Sequence, residues 1–164
     1  MKCLVTGGAG YIGSHVVLKL IEQGHSVDII DNFSTGSEKT LENLKSIGWN
    51  GNFLYADIDD SRVISFLQDK NIDICFHFAS HISVGESVKN PIKYFDNNVS
   101  QFPKFLHYIT LNGINKFILS SSAAVYGDKK DNKAVIESSS LEPTSPYGTT
   151  KVMMEQMLDA YAKS

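Results

Sequence analysis

Tyr147 and Lys151 stand four positions apart in the segment Ser-Pro-Tyr-Gly-Thr-Thr-Lys at 145–151. On a helix this spacing places both side chains on one face, one turn apart. An ammonium beside a phenol stabilises the phenolate, which can take a proton from a substrate hydroxyl. Ser122, which follows an apolar segment, could hydrogen-bond the same oxygen. A Tyr–Lys pair alone is more often an exposed helix pair, so this chemistry depends on the other motifs of the chain.

A glycine-rich turn is the second motif. Residues 6–13 read Thr-Gly-Gly-Ala-Gly-Tyr-Ile-Gly, between an apolar segment and an amphipathic one. Such a turn lets backbone N–H groups approach a pyrophosphate at the start of a helix. Asp31 ends the next apolar segment, where an acid accepts hydrogen bonds from the adenosine ribose and repels the 2′-phosphate of NADP. The pattern predicts bound NAD; the alternative is a glycine-rich turn with an unrelated surface acid.

Strand-like and helical segments alternate along the chain. Strands are predicted at 2–6, 26–31, 52–55, 74–78 and 116–120, and helices at 13–23, 38–47, 62–69, 99–111 and 147–162. Gly24 and Gly113 stand where the first and fourth helices would end, and Pro103 predicts a kink or a later helix start. Continuous apolar strands separated by helices predict an α/β fold, a doubly wound (Rossmann) parallel sheet with helices on both faces.

Composition places the chain among globular proteins without a nucleic-acid or membrane partner. The 164 residues fit one domain, 42% are hydrophobic, and the net charge is -3. No apolar run reaches the length of a membrane span, and the N-terminus does not resemble a signal peptide, so we expect a cytoplasmic protein. Cys3 and Cys75 lack metal-ligand spacing, so no metal site is predicted. Two buried thiols are favoured over a disulfide.

Taken together, the motifs resemble the extended short-chain dehydrogenase/reductase family, and within it the UDP-glucose (UDP-galactose) 4-epimerases. The resemblance runs through the whole chain. It rests on TGGAGYIGSH at 6–15, DN at 31–32, HFAS at 77–80, VGESV at 84–88, DNNV at 96–99, SSSAAVYGD at 120–128 and SPYGTTK at 145–151.

The resemblance implies a role for each matching residue. Tyr147 would exchange a proton with the sugar 4-hydroxyl, Lys151 would support it and bind the nicotinamide ribose, and Ser122 would align the hydroxyl. Residues matching the family's NAD contacts would surround the pyrophosphate, the adenosine ribose, the adenine and the nicotinamide side of the cofactor; they are Gly7, Gly10, Tyr11, Ile12, Gly13, Asp31, Asn32, Asp57, Ile58, Phe78, Ala79, Ser80 and Asn97, together with Tyr147 and Lys151.

The implied reaction is NAD-dependent epimerisation at C4 of a UDP-hexose through a transient 4-keto sugar. NAD would stay bound through the cycle, and the substrate partner would be a nucleotide sugar. The resemblance also implies a homodimer formed through the helices near 99–111 and 147–162. Dehydration of the sugar is disfavoured, because the segment Ser122-Ala123-Ala124 carries no carboxylate.

Several positions depart from the family pattern. Residues 79–82 read Ala-Ser-His-Ile where many epimerases have Ala-Gly-Leu-Lys, and Ala124 replaces a frequent Thr, so the hexose stays open. Family members are about twice as long as this chain. We therefore expect residues 1–164 to form the NAD-binding domain, without the C-terminal substrate domain. An NAD-binding module without catalysis and a reductase of the same family are the alternatives.

Overall fold

The computed structural model describes residues 1–128 and 134–163; the predicted domain also includes 129–133 and 164, which lie outside the described residues. Its strands are β1 Lys2–Thr6, β2 Ser26–Asp31, β3 Phe53–Tyr55, β4 Ile74–His77 and β5 Phe117–Leu119. Its α-helices are α1 Tyr11–Glu22, α2 Glu38–Ser46, α3 Arg62–Leu67, α4 Val84–Lys89, α5 Pro91–Tyr94, α6 Phe102–Leu111 and α7 Pro146–Ala162. A π-helix covers Phe95–Ser100 and a 3₁₀-helix covers Ala123–Tyr126.

The described residues divide into two compact units. The first unit comprises residues 1–79 and 104–120 and contains the sheet. The second unit comprises residues 80–103 and the described part of 121–164. Each unit holds one group of the predicted site residues, and each is described by itself below.

The first unit is built on a parallel sheet with strand order β3-β2-β1-β4-β5. Every pairing is parallel; Leu4 of β1, for example, lies between Asp28 of β2 and Cys75 of β4. The central strands are buried along nearly their whole length, as expected when helices cover both faces. The predicted Rossmann architecture is confirmed. Because all strands run the same way, their carboxyl ends meet at one edge of the sheet.

The predicted strands at 2–6 and 26–31 are confirmed residue for residue, whereas β3, β4 and β5 are shorter than predicted. The helix predicted at 99–111 is wrong at its start. The chain is already helical at Pro91, passes through the π-helix, and α6 begins only at Phe102. The later start agrees with the expectation for Pro103, since proline is accepted in the first turn, where its missing N–H is not needed.

Two glycines end helices as predicted. Gly24 has φ 77° and Gly113 has φ 71°, in the left-handed region that closes a helix at little cost for glycine. The N–H groups of His25 and Ile114 then reach back to carbonyls five residues earlier, at 3.0 and 3.1 Å. These bonds satisfy carbonyl groups at the helix ends, which would otherwise lack a partner.

The two cysteines are buried and free, as the sequence predicted. Cys3 pairs with Ile74, and Cys75 pairs with Leu4, so the two cysteines are one residue out of register on neighbouring strands. Their side chains consequently point to opposite faces of the sheet. Burial raises the pKa of both thiols. Among the described helices, none combines the length and apolarity needed to cross a bilayer.

Gly51 lies against the start of β2 in the first unit. A Cβ atom at Gly51 would lie 1.7 Å from the carbonyl oxygen of Val27, a distance that the backbone must move to avoid. The same carbonyl accepts a hydrogen bond from the buried Trp49 Nε1 at 2.7 Å, which fixes it in place. A side chain at position 51 would therefore disturb both contacts.

We expect Gly51→Ala to lower the free energy of unfolding by about 2–4 kcal/mol, because the new methyl group overlaps fixed backbone. Gly85→Ala is the matched control, since a Cβ atom there meets nothing within 4 Å. That substitution should be neutral or slightly stabilising in α4. Denaturant unfolding followed by circular dichroism measures both, and equal stability of the two variants would contradict the expectation.

Candidate active site

The glycine-rich turn connects β1 to α1 in the first unit. Gly10 occupies the N-cap position of α1 and has no side chain that could accept a bond from the first helical N–H groups. The N–H groups of Tyr11, Ile12 and Gly13 therefore have no acceptor within the helix and carry its positive dipole end. This is the arrangement that binds phosphate groups. Tyr11 is 84% exposed, and its ring packs edge-on against His15 of the same helix.

Two of the glycines are required by close contacts. A Cβ atom at Gly13 would lie 2.1 Å from the Gly7 carbonyl oxygen, so only glycine lets α1 begin this close to the turn. A Cβ atom at Gly7 would lie 2.7 Å from the Ala79 nitrogen, and Gly7 itself has φ 71°. The turn therefore lies directly against the backbone of Phe78 and Ala79 after β4.

Asp31 ends β2 at the same edge of the sheet and is 6% exposed. Its Oδ2 accepts a hydrogen bond from Ala9 N at 2.9 Å, and its Oδ1 accepts one from Phe33 N at 2.8 Å. The carboxylate thus holds both the glycine-rich turn and the turn that follows β2. Phe33 has φ 56°, which is unusual for a bulky residue, and its ring stacks on Phe53 at 5.3 Å.

Asn32 and Asp57 lie together after β2 and β3. The Asn32 side-chain amide donates to Asp57 Oδ1, and Asn32 Oδ1 accepts a hydrogen bond from Ser34 N at 2.9 Å. Asp57 is exposed, whereas Ile58 next to it is buried. The predicted ribose-contacting and adenine-contacting residues of the first unit are therefore neighbours at the ends of adjacent strands.

Tyr147 and Lys151 form the centre of the second unit's group of site residues. Both lie on α7, and both are buried, with 7% and 2% exposure. The Lys151 Nζ atom lies 6.0 Å from the centroid of the Tyr147 ring. An exposed helix pair, the more common meaning of this spacing, is thereby ruled out for these two residues.

The Lys151 ammonium is buried and held by hydrogen bonding. Burial lowers the pKa of Lys151 from its ordinary value to about 8, and the charge of Glu155 partly opposes this shift. The Nζ atom donates to Ser80 Oγ at 2.8 Å. At neutral pH most Lys151 side chains are therefore protonated, although the protonated fraction is smaller than for a solvated lysine.

Backbone N–H groups in the first turn of α7 find acceptors both at its own N-cap and on α4. Ser145 is the N-cap, and its Oγ accepts from Gly148 N at 3.1 Å, while Pro146 has no N–H to satisfy. The Tyr147 N–H donates to Ser87 Oγ of α4 at 3.1 Å. Ser87 is fully buried, and its hydroxyl donates to the Val84 carbonyl at 2.7 Å. The backbone of Tyr147 is thus attached to α4.

Ser122 precedes the 3₁₀-helix and caps it. Its Oγ accepts a hydrogen bond from Ala124 N at 3.2 Å. The start of α7 packs against this helix at Gly148, where a Cβ atom would lie 2.6 Å from the Ala124 carbonyl oxygen. The close approach brings the segment with Ser122 next to the first turn of α7, the turn that carries Tyr147.

Asn97, the last predicted site residue, is half-buried in the π-helix, and its amide donates to Asn98 Oδ1 at 2.9 Å. The neighbouring Asn98 is fully buried. It accepts from His81 N and donates to His81 O and to Thr150 Oγ1, at distances from 2.9 to 3.1 Å. Asn98 therefore joins the π-helix to α7 one turn after Tyr147.

Sequence reasoning missed four residues of this group: Ser87, Asn98, Ser145 and Thr150. Ser145 could have been found, because Ser followed by Pro is a typical N-cap and first-turn pair. Ser87 carries no such signal, since it lies in a short helix without a buried stripe, and its partner is 60 residues away. The site residues fall into two groups, with Gly7 to Ala79 in the first unit and Ser80, Asn97, Ser122, Tyr147 and Lys151 in the second.

Replacing Lys151 by Met removes a buried charge. Between pH 8 and about 10.5 the unfolded wild-type chain binds a proton that the folded chain does not, so this residue makes wild-type stability rise with pH. We expect Lys151→Met to be more stable than the wild type at pH 7, by about 1–3 kcal/mol. The difference should shrink as the pH rises through this window.

Denaturant unfolding at several pH values between 7 and 10 tests this expectation. Lys163→Met is the matched control, because the Lys163 side chain is exposed and pairs with Asp159 on the surface. A difference between wild type and Lys151→Met that stays constant with pH would contradict the expectation, and so would a variant that is less stable throughout.

Comparison with known proteins identifies relatives along the whole chain. The NAD dependent epimerase/dehydratase family matches residues 3–164. A UDP-glucose 4-epimerase from Yersinia enterocolitica is 42% identical over 164 residues, which are 99% of this chain and 49% of that protein. The chain thus spans about half the length of such curated relatives.

Solved structures agree in fold. The UDP-glucose-4-epimerase of Stenotrophomonas maltophila, with bound NAD and formylated UDP-arabinopyranose, superposes with a TM-score of 0.93 at 42% identity, over 99% of this chain and 49% of that one. The UDP-Glc/GlcNAc 4-epimerase of Campylobacter jejuni gives a TM-score of 0.92 at 37% identity, with the same shares covered. The resemblance seen in the sequence motifs is confirmed, and the chain belongs to the NAD dependent epimerase/dehydratase family.

Proposed function

We propose that this chain is the NAD-binding and proton-transferring half of an enzyme that epimerises C4 of a UDP-hexose. The observation that carries the proposal is the buried Tyr147–Lys151 pair on one face of α7. A phenol and an ammonium held together away from water are suited to move a proton to and from a sugar hydroxyl. The relatives named as UDP-glucose 4-epimerases support the same reaction.

The glycine-rich turn supports NAD as the cofactor. Its free helix N–H groups suit a pyrophosphate, and glycine at 7 and 13 is required by contacts with backbone atoms. Asp31 and Asn32 would hold the adenosine ribose, and Asp57 and Ile58 the adenine. Phe78, Ala79, Ser80 and Asn97 would line the nicotinamide side. NAD, when bound, would accept the hydride from C4 of the sugar and supply it again for return.

The chain's own residues would handle the proton. Tyr147 takes the proton of the 4-hydroxyl as the alcohol becomes a ketone, and it returns the proton to the same oxygen when the alcohol re-forms. Tyr147 is a phenolate before it takes the proton and again after it returns the proton, and the positive charge of Lys151 favours that form. Ser122 donates a hydrogen bond to the 4-oxygen and aligns it with Tyr147. The sugar class stays UDP-hexose, because the relatives' names include both glucose and N-acetylglucosamine.

An NAD-binding module without catalysis is the second candidate, and the glycine-rich turn, which needs only the cofactor, supports it. A module of this kind would bind NAD and leave a UDP-sugar unchanged. A reductase of the same family would instead consume NADH with a ketone. Homodimerisation through helices near 99–111 and 147–162, and a cytoplasmic location, stay predictions.

Calorimetric titration of the chain with NAD tests cofactor binding. We expect NAD to bind more tightly than NADP, because Asp31 repels the 2′-phosphate. Gly13→Ala should weaken NAD binding at least about tenfold, since the added methyl group pushes the Gly7 carbonyl and the start of α1 apart. Gly85→Ala, where the methyl group meets open space, should bind NAD as the wild type does. Equal binding by all three chains would contradict the proposed cofactor site.

Conversion of UDP-galactose to UDP-glucose in the presence of NAD tests catalysis. If the chain turns over, Tyr147→Phe should lower the rate by at least about 100-fold, because the phenol hydroxyl carries the proton. An active Tyr147→Phe chain would contradict the mechanism. NAD binding without any conversion would favour the module without catalysis, and NADH consumption with a ketone substrate would favour the reductase.

A further inference from the structure

We propose that Ser80 is a positioning residue for Lys151: its hydroxyl oxygen accepts a hydrogen bond from the ammonium and holds that group at a fixed place next to Tyr147. The inference deepens the proposed function and rests on it for its consequence in catalysis. The hydrogen bond itself and its effect on Lys151 are properties of the unliganded chain. They can therefore be tested without cofactor or turnover.

The geometry of the contact carries the proposal. Ser80 Oγ and Lys151 Nζ are 2.8 Å apart, within the range of a charge-assisted N–H···O bond. Both residues belong to the second unit, Ser80 in the segment that leads to α4 and Lys151 in the second turn of α7. Lys151 is 2% exposed, and Ser80 is half-buried. The hydroxyl thus contacts the ammonium where water has little access.

A buried ammonium is costly unless hydrogen-bond acceptors replace the lost water. A serine hydroxyl accepts through its lone pairs and adds no charge of its own, so it supports the ammonium without neutralising it. A carboxylate in the same place would hold the charge more strongly but would also cancel its effect on Tyr147. The neutral acceptor is therefore suited to an ammonium that must act on a neighbouring phenol.

Charged groups around Lys151 act on it alongside this hydrogen bond. On its own helix, Glu155 raises the pKa of Lys151, against the larger effect of burial. Within the second unit, α4, α5, the π-helix and the 3₁₀-helix pack against α7, and the Pro103 carbonyl at the start of α6 accepts a hydrogen bond from Tyr161. The titratable side chains of the first four of these elements are Glu86, Lys89, Lys93, Tyr94, Asp96 and Tyr126. Within the second unit, Glu86 bonds Lys93 and Tyr94, at 2.6 and 2.8 Å.

The segment from 80 to 87 thereby positions both residues of the pair. The Ser80 hydroxyl holds the side chain of Lys151, and the Ser87 hydroxyl holds the backbone of Tyr147. Loss of the Ser80 hydroxyl would leave Tyr147 attached to α4 but would remove one acceptor from the ammonium. The expected consequence is a Lys151 that loses its proton at a lower pH, and so supports the phenolate over a narrower range.

NMR titration of the unliganded chain, labelled with ¹³C at lysine Cε, tests the proposal. Lys151→Met identifies the Lys151 signal. We expect the wild-type signal to titrate near pH 8, and Ser80→Ala to lower that midpoint by about one pH unit, the effect of losing one hydrogen bond to a charged group. Ser80→Thr keeps a hydroxyl and should restore the wild-type midpoint. Ser37→Ala, which removes the N-cap serine of α2 in the first unit, should leave it unchanged.

Each other outcome overturns the proposal. If Lys151 has the same titration midpoint in Ser80→Ala as in the wild type, the Ser80 hydroxyl does not stabilise the ammonium and Ser80 only fills space. If Ser80→Thr lowers the Lys151 midpoint as much as Ser80→Ala does, the hydroxyl does not determine that midpoint. A wild-type Lys151 that titrates like a solvated lysine would show that the ammonium is not held in this buried place. Ser80→Gly repeats the measurement if Ser80→Ala does not fold. Failure of the proposed function is a separate result, seen as absent NAD binding in calorimetry.

Discussion

The second unit is organised around one buried positive charge. An ammonium that is 2% exposed must be surrounded by acceptors and packed atoms, which limits where α7 can lie. The contacts found there meet this demand: Ser80 accepts from Lys151, Ser87 and Ser145 bind the first N–H groups of α7, and Gly148 admits the Ala124 carbonyl. Tyr147 is fixed by the same contacts, because it shares a helix face with the lysine.

The first unit is organised by strand direction. Parallel strands deliver their carboxyl ends to one edge, so residues distant in sequence become neighbours there without a specific contact between them. The glycine-rich turn after β1, Asp31 at the end of β2 and Phe78 after β4 are placed in this way. Close packing then refines their positions, since the backbone after β4 approaches Gly7 to a distance that excludes any side chain.

The sequence predicted what depends on local pattern. β1 and β2 were found residue for residue, because each is a short, mainly apolar run bounded by polar or glycine residues. The Tyr147–Lys151 pair and the glycine-rich turn were found because their spacing is itself the signal. The partners of these residues were not found. Ser80 and Lys151 are 71 positions apart in the sequence. A hydrogen bond between residues so far apart produces no repeating pattern from which it could be predicted.

The helical region before α6 shows a different limit. No helix is predicted over its polar residues Asp96, Asn97 and Asn98, because no stripe of apolar side chains marks a buried face there. In the structure this stretch is a π-helix, and Asn98 takes the place of an apolar anchor by binding His81 and Thr150 through its amide. A buried polar side chain can hold a helix in place as an apolar one does, but only where hydrogen-bond partners satisfy it.

Asp31 shows how one residue can serve the fold and the proposed cofactor together. A carboxylate offers about four lone-pair positions, and the bonds from Ala9 and Phe33 use two of them. The remaining positions can accept the ribose hydroxyls while the first two keep the glycine-rich turn in place. Under the proposed function, the residue that would distinguish NAD from NADP is the same one that shapes the glycine-rich turn. Cofactor selectivity and loop geometry would then depend on a single side chain, and an amide there would alter both at once.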